Sequence, residues 1–268
     1  MTQTTNETCV AIVTGAAGGM GVPCAKRLVA EGRRLLLCDV DRGRLEQVAE
    51  PLRRGGAEVD VLAGDVADPA FSGQLLAAVG DRSIGAMIHT AGLSPTLADA
   101  ARIWNVNYVA TERLIAAVLP KMAEGSCAVL ISSSSAYMVR SAEVDAAIAK
   151  LMRGDGSAVE KLVTTPQGAY PISKRAVIAL VARESTSFGQ RKARIASIAP
   201  GLIDTGMGRA EISASPQTKV MLERTPLQRL GVGDEIASVA VFLCSPQASY
   251  ISGCDIKVDG GMLAALGF

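Results

Sequence analysis

The sequence predicts an α/β fold built on a doubly wound parallel sheet, and three observations support this. Short apolar or β-branched runs alternate with longer helical stretches along 268 residues. A glycine-rich turn separates the first apolar run from the first helical stretch, and an aspartate closes the second run. Strands separated by helices imply right-handed crossovers, which leave the sheet parallel and covered on both faces. With 49% apolar residues the chain can bury a sizeable core. No linker, low-complexity tract or solenoid repeat interrupts it, so residues 1–268 read as a single domain.

The elements follow in order. Val10 to Thr14 is a strand, and Val22 onward is a helix until Gly32. Leu35 to Cys38 is a second buried strand, closed by Asp39. Leu45, Val48, Ala49 and Leu52 recur at helical spacing, with Pro51 expected to disturb that helix near its end. Val59, Val61 and Ala63 alternate as a strand before Asp65. Ala86 to His89 is the fourth strand, and Ile103 to Met122 a long helix. Ala128 to Ser132, Arg194 to Ile198 and Asp255 to Val258 are the remaining strands. Tyr170 to Phe188 and Ile236 to Leu243 are helices.

The segment of about residues 140–165 breaks this rhythm. Val144, Ala147, Ile148, Leu151 and Met152 share one helical face, and Gly154-Asp155-Gly156 signals a turn. Val159, Leu162 and Val163 fit a second short helix, so the segment reads as an inserted helical hairpin.

Composition excludes several classes. Lys plus Arg is 27 and Asp plus Glu is 26, a net charge of +1, without the basic footprint of a nucleic-acid binder. Met1 to Thr8 is polar and lacks a signal core. No apolar run approaches the ~20 residues that span a bilayer. The six cysteines are scattered without a CxxC pair, and His89 is the only histidine. No metal site is expected. Free thiols suit a reducing cytoplasm, and the expected partner is a small molecule in a pocket.

Thr14 to Gly21 carries the first candidate site. Glycines let the backbone turn tightly against a pyrophosphate, and the helix N-terminus offers N–H groups and a positive dipole end. A glycine cluster alone is also an ordinary strand-to-helix turn. Asp39 changes the balance: it lies 24 residues after Gly15, near the offset of a carboxylate that binds ribose hydroxyls. Two unit charges ~4 Å apart repel by roughly 4 kcal/mol at an effective dielectric of ~20, so Asp39 favours NAD over NADP. Arg42, nearby, reads as a solvated helix residue. Asp65-Val66 can reach the adenine, and Thr90-Ala91-Gly92 can pass beneath the adenosine ribose. Both follow strand ends, where open α/β sheets bind ligands. His89 packs at the end of its strand.

Tyr170 and Lys174 lie one helical turn apart and share a face. A tyrosine with a pKa near ~10 is a poor base at neutral pH, and a neighbouring ammonium lowers that value. Pro171 has no N–H, which is harmless in a first helical turn, so Tyr170 is expected at the helix start. The spacing alone also arises by chance. Tyr137 is a rival tyrosine, but four residues later stands Ser141 rather than a lysine. Ser132 to Ser135 follow a strand, where one hydroxyl can donate to a developing oxyanion and the rest form a turn.

Together these residues resemble the short-chain dehydrogenase/reductase family over essentially the whole chain. Thr14 to Gly21 matches its TGxxxGxG turn, and Tyr170 with Lys174 its YxxxK motif. Val106-Asn107 matches the helix asparagine, Ile131-Ser132-Ser133 the serine motif, and Val258 to Gly261 the terminal motif. Thr90-Ala91-Gly92 is similar to the N-N-A-G segment, with His89 and Thr90 in place of both asparagines.

The resemblance implies a Rossmann-type fold and an NAD-dependent oxidoreductase of alcohols and ketones. It implies Tyr170 as acid and base, Ser133 as the orienting hydroxyl, Lys174 as ribose binder, and Asn107 as support of a proton relay. It places Gly15, Ala17, Gly19, Met20, Gly21, Asp39, Asp65, Val66, Thr90, Ala91 and Gly92 at the cofactor. Tyr170 and Lys174 also touch it, and Pro200, Gly201, Ile203 and Thr205 hold its carboxamide.

The 37-residue gap from Ser133 to Tyr170 is unusually long. With Val106-Asn107-Tyr108, Ala110-Thr111-Glu112 and Ser245 to Tyr250, it resembles the bacterial 3α-hydroxysteroid dehydrogenase/carbonyl reductase subgroup. The expected lid spans about residues 202–227, with Met207, Ile212, Val220, Met221 and Leu222 as its apolar side. Met138, Leu151 and Met152 are candidate pocket walls. The expected substrate is a hydrophobic alcohol or ketone, possible hydroxysteroids included. Small aromatic or alicyclic ketones are the rival reading, and a non-catalytic NAD-binding regulator the more distant one. The resemblance implies a homodimer or homotetramer.

Overall fold

The computed structural model describes residues 9–214 and 216–268. The polar Met1 to Thr8 stretch lies outside the described residues. The strands are β1 Cys9–Thr14, β2 Leu35–Asp39, β3 Val59–Ala63, β4 Ser83–His89, β5 Met122–Ile131, β6 Arg194–Pro200 and β7 Asp255–Val258. They form one seven-stranded parallel sheet in the order β3-β2-β1-β4-β5-β6-β7. The chain starts at the centre, winds out through β2 and β3, then returns to β4. That reversal opens a crevice at the carboxyl ends of β1 and β4, the switch point of such sheets.

The first half contributes helices α1 Gly21–Ala30, α2 Arg42–Arg54, α3 Phe71–Val79, α4 Ala100–Trp104 and α5 Ala110–Val118. The second half adds α6 Ser135–Met138, α7 Ala142–Leu151, α8 Ser157–Glu160 and α9 Pro166–Gln190. The segment expected as a lid holds α10 Gly206–Ala214 and α11 Pro216–Arg224, followed by α12 Gly233–Leu243 and α13 Met262–Ala265. Among the described residues, no helix is long and apolar enough to cross a membrane.

Strands β1 and β2 are almost continuously apolar because both faces are covered, whereas the edge strands β3 and β7 carry polar residues. Successive side chains leave a strand on opposite sides. Val10, Ile12, Leu36 and Cys38 thus enter the core under α3, α5 and α9. Ala11, Val13, Leu35 and Leu37 enter the core under α1, α2 and α12.

Several elements differ from expectation. Helix α3 was not anticipated, although Phe71, Leu75 and Val79 repeat every four residues and are all buried. Pro51 lies within α2 without ending it before Arg54. The long helix expected over Ile103 to Met122 starts earlier, at Ala100, where the Asp99 carboxylate accepts from the Arg102 N–H at 2.8 Å. It widens into a π turn over Asn105–Val109 and ends at Val118. Pro120 stands in the 3₁₀ turn that follows, and Met122 already belongs to β5.

The expected hairpin is present as α7 and α8. The Ser141 hydroxyl accepts from the Val144 N–H at 3.1 Å, and Gly154 turns the chain with φ +94°. Val144, Ala147, Ile148 and Val159 pack on Ile172 of α9 and on Trp104. The inserted segment therefore rests on the helix that carries Tyr170.

One expectation is corrected. Pro171 does not mark a helix start. Helix α9 begins at Pro166, and the Thr165 hydroxyl accepts from the Gly168 N–H at 3.2 Å. A threonine cap followed by proline at the first helical position is itself a start signal. Tyr170 thus sits one turn inside the helix. Pro171 supplies no N–H to the preceding turn, a loosening tolerated this near the end. Thr165→Ala is expected to lower stability by about 1 kcal/mol in urea unfolding, the usual value of such a cap.

Candidate active site

Lys174 anchors the site. Its side chain is 6% exposed, and its ammonium donates to the Ile131 carbonyl at 2.9 Å, where β5 ends. The same nitrogen stands 5.9 Å from the centre of the Tyr170 ring. A Cβ added to Gly92 would lie 3.2 Å from Asn107 Oδ1 and 3.3 Å from Lys174 Nζ. Glycine there lets the loop after β4 close over both groups.

Asn107 lies in the π turn, a distortion that often re-aims a side chain at a site. Its Oδ1 accepts from the Leu93 N–H at 2.8 Å, and its Nδ2 donates to the Leu93 carbonyl at 2.9 Å and to Ser173 Oγ at 3.2 Å. Ser173 in turn donates to the Tyr170 carbonyl at 2.7 Å. The loop, the π turn and α9 are thus locked together around Lys174. Ser133 Oγ accepts from the Ser135 N–H at 3.2 Å and the Ser135 hydroxyl at 3.0 Å. Neither contact uses the hydrogen of Ser133.

Ser133, Tyr170 and Lys174 line a cleft of about 570 Å³. Its walls carry five methionines, Met20, Met138, Met207, Met221 and Met262, with Leu93, Ile131 and Leu202. Among the described residues lining it, Lys174 is the only one with a formal charge. Leu151 and Met152, expected as walls, instead pack in the cluster between the insert and α9. Of the lid residues, Met207 and Met221 face the cleft, whereas Ile212, Val220 and Leu222 do not line it.

A second groove of about 420 Å³ adjoins it and shares Met20, Thr90, Gly92 and Thr205. Gly15, Gly19, Asp39, Asp65, Val66 and Ala91 line this groove, and Pro200, Gly201 and Ile203 line the cleft. Two predicted cofactor residues line neither. Ala17 acts through its N–H, which donates to Asp39 Oδ2 at 3.0 Å. Gly21 acts by its lack of a side chain, since a Cβ there would collide with the Gly15 carbonyl. Gly15 itself adopts φ +66°, a conformation that glycine enters without steric cost.

Asp39 also accepts from the Asp41 N–H at 3.2 Å, so its carboxylate is oriented at the groove rim. Arg42 does not line the groove. Arg44 does, and it donates to the Ala17 carbonyl at 2.8 Å. Sequence reading passed over Arg44; its place in the first turn of α2, directly after Asp39, was the available signal. Asp65 lines the groove, but its carboxylate is paired with Arg102. Partial burial opposes ionisation of Asp65, and the Ala67 N–H and Arg102 outweigh it, holding the carboxyl below its usual range.

His89 is buried between two threonines. The Thr111 hydroxyl donates to the Asn107 carbonyl at 2.9 Å, so it accepts from His89 Nε2–H at 2.8 Å. His89 Nδ1 then accepts from the Thr14 hydroxyl at 2.6 Å. This chain ties the start of the glycine turn to the π turn. Burial, and secondarily the Lys174 charge, push the imidazole down to about 3.

The structure thus joins a groove at the glycine turn to a cleft where a tyrosine, a lysine and a serine share a wall with apolar side chains. Residues 9–146 match the family description "short chain dehydrogenase", and residues 147–263 match "Enoyl-(Acyl carrier protein) reductase". The short-chain dehydrogenase/reductase bsc3 of Alternaria brassicicola is 33% identical over 93% of this chain and 94% of its own. The 7alpha-hydroxysteroid dehydrogenase of Escherichia coli K12 is 27% identical over 94% and 92%. The crystal structure of levodione reductase superposes with a TM-score of 0.80 at 26% identity, covering 96% of this chain and 98% of that one. Such varied relatives do not single out the 3α-hydroxysteroid dehydrogenase/carbonyl reductase subgroup.

Acidification tests the neutral state of His89. Unfolded, the imidazole gains a proton near 6.5; folded, only near 3. Stability therefore falls as pH drops through that interval, by up to ~1.4 kcal/mol per unit. Between pH 7 and 5 this amounts to about 2 kcal/mol. His89→Asn is expected to lose that much less than the parent between the two pH values in urea unfolding. Equal losses in both proteins would show that His89 takes its proton in the folded state.

The wound sheet, the glycine turn at its switch point, the shared cleft and the matches along the chain agree: this protein belongs to the short-chain dehydrogenase/reductase family, oxidoreductases of alcohols and ketones that use NAD(P)(H).

Proposed function

We propose that this chain is an NAD-dependent dehydrogenase or carbonyl reductase interconverting a hydrophobic secondary alcohol and its ketone. One observation carries the reading. Ser133, Tyr170 and Lys174 open into one apolar cleft that carries no other formal charge among the described residues and adjoins the dinucleotide groove.

In this reading Gly15, Gly19, Met20, Asp39, Thr90 and Thr205 hold the dinucleotide. The glycine turn and the N-terminus of α1 receive its phosphates, and Asp39 receives its ribose hydroxyls. The bound nicotinamide supplies or accepts the hydride. The chain's own residues handle the proton. Tyr170 exchanges it with the substrate oxygen. Ser133 has an uncommitted hydrogen and donates to that oxygen as charge develops. Lys174 stabilises the Tyr170 phenolate and binds the ribose nearest the cleft. Asn107 fixes the Leu93 loop beside Lys174 and supports a proton relay from it.

A neutral, methionine-lined cleft favours a bulky uncharged substrate, because thioethers fit irregular apolar shapes. A hydroxysteroid fits this description, and one relative is named for that chemistry. A small alicyclic ketone is the second reading, favoured by the likeness to levodione reductase. The chain is proposed to act as one catalytic domain. A homodimer or homotetramer in the cytoplasm completes the reading; the free state of all six cysteines suits that compartment.

Tyr170→Phe is expected to lower turnover by roughly 100-fold or more while NADH binding, read by fluorescence, stays intact. Retained turnover would remove Tyr170 from the chemistry. A panel of steroid and alicyclic secondary alcohols, followed at 340 nm with NAD and with NADP, tests substrate and cofactor together. NAD should be preferred, and Asp39→Ser should raise efficiency with NADP by roughly tenfold or more. Better efficiency of the parent protein with NADP would overturn the NAD assignment.

A further inference from the structure

Asp255 opens β7, separated from β4 and its loop by two intervening strands, and lies outside both the cleft and the groove. Its carboxylate nevertheless collects three side-chain hydroxyls. Oδ1 accepts from Ser132 at 2.6 Å and from Ser197 at 2.5 Å, and Oδ2 accepts from Tyr137 at 2.7 Å. The Ser132 hydroxyl also lies 2.9 Å from the Ile198 carbonyl, but its one hydrogen favours the closer, charged acceptor. Burial, together with Asp255, holds the Tyr137 hydroxyl protonated well above the usual tyrosine range, so it remains a donor. Lys257 Nζ sits 4.5 Å from the centre of the Tyr137 ring and keeps the ring in place.

The positions of these donors matter more than their number. Ser132 immediately precedes Ser133, and Tyr137 follows it by four residues on α6. Ser197 fixes Asp255 to β6, its neighbour in register. Backbone bonds complete the frame: the Ser132 N–H donates to Ile198 at 2.8 Å and the Ser134 N–H to Pro200 at 3.0 Å. The Ser133 hydroxyl is therefore held at both ends of its turn by one carboxylate. Met138, next to Tyr137, is carried into the cleft wall by the same short helix.

We propose that Asp255 is a positioning residue that clamps the Ser132 to Tyr137 turn and so sets where the Ser133 hydroxyl meets the substrate oxygen. The inference rests on the proposed role of Ser133. Misplacing an orienting donor by a fraction of its hydrogen-bond length weakens it in the transition state more than in the ground state. The defect therefore falls on kcat, with cofactor binding preserved.

The experiment compares Asp255→Leu, Asp255→Asn and Ser133→Ala in the full-length protein, using an alcohol that the parent oxidises. kcat, KM, NADH affinity by fluorescence and the thermal unfolding midpoint are measured for each. Asp255→Leu is expected to keep NADH affinity within about twofold and to lose kcat by about tenfold or more. Asp255→Asn keeps an oxygen for Ser132 and Ser197 and should recover most of that loss. If Asp255→Leu does not fold, the Ser132→Ala/Tyr137→Phe double variant replaces it, with the same kcat loss expected. Unchanged kcat in the Asp255→Leu or double variant, with Ser133→Ala crippled, overturns the clamp and spares the role of Ser133. Unchanged kcat in Ser133→Ala overturns that role itself. A kcat loss matched by an equal loss of NADH-binding protein also overturns the clamp.

Discussion

The buried ammonium of Lys174 is the constraint on which the rest of the site depends. A charge that is 6% exposed must find partners within the protein. It finds the Ile131 carbonyl, at the point where β5 ends. It can come so close to the β4 loop only because Gly92 has no side chain. The π turn brings Asn107 to the same place, and Asn107 ties down Leu93 with two backbone bonds. Each local irregularity near Lys174 therefore has a reason: a strand end, a glycine and a widened helical turn.

The groove is coupled to this centre through His89. Its imidazole joins Thr14, at the mouth of the glycine turn, to Thr111 and then to the Asn107 carbonyl. Thr90 adds a second tie, donating to the Thr14 carbonyl at 2.8 Å. The two residues in place of the family's asparagine pair thus perform a local bonding job. The groove and the cleft share walls and are also braced by one continuous set of hydrogen bonds.

What was legible in the sequence follows from how local its cause is. All seven strands were readable because each is a short apolar run or a short alternation of apolar and polar residues, bounded by a charged residue, a serine or a turn. Asp39 and the Tyr170–Lys174 pair were readable because their meaning lies in spacing along one or two elements. Helix α3 escaped notice because it is only nine residues long, with Phe71, Leu75 and Val79 buried and Leu76 and Ala78 packed against the same core. Pro171 misleads because proline favours a first helical turn, while the actual start, Thr165-Pro166, lies where the expected insertion of about residues 140–165 ends. Arg44 and Asp255 act through contacts between elements far apart in sequence, and no periodicity announces such contacts.

The same distinction separates the two halves of the site. The groove is made of glycines, strand ends and a helix N-terminus, with the charged side chains of Asp39, Arg44, Asp65 and Arg102 along it. The glycines, strand ends and helix N-terminus recur wherever this sheet is wound this way, so the groove is dictated by the fold. The cleft is made of side chains drawn from α6, α9, α10, α11 and the start of α13 at Met262. Its shape depends on thioethers that adapt to their occupant. Relatives named for different substrates can therefore share the sheet and the groove with this chain while differing in the cleft. The inserted hairpin supports that reading from outside: it packs against Ile172 on α9, beside Tyr170, without contributing Leu151 or Met152 to the cleft. Any effect of the hairpin on the cleft would then pass through the seating of α9, the helix that carries Tyr170 and Lys174.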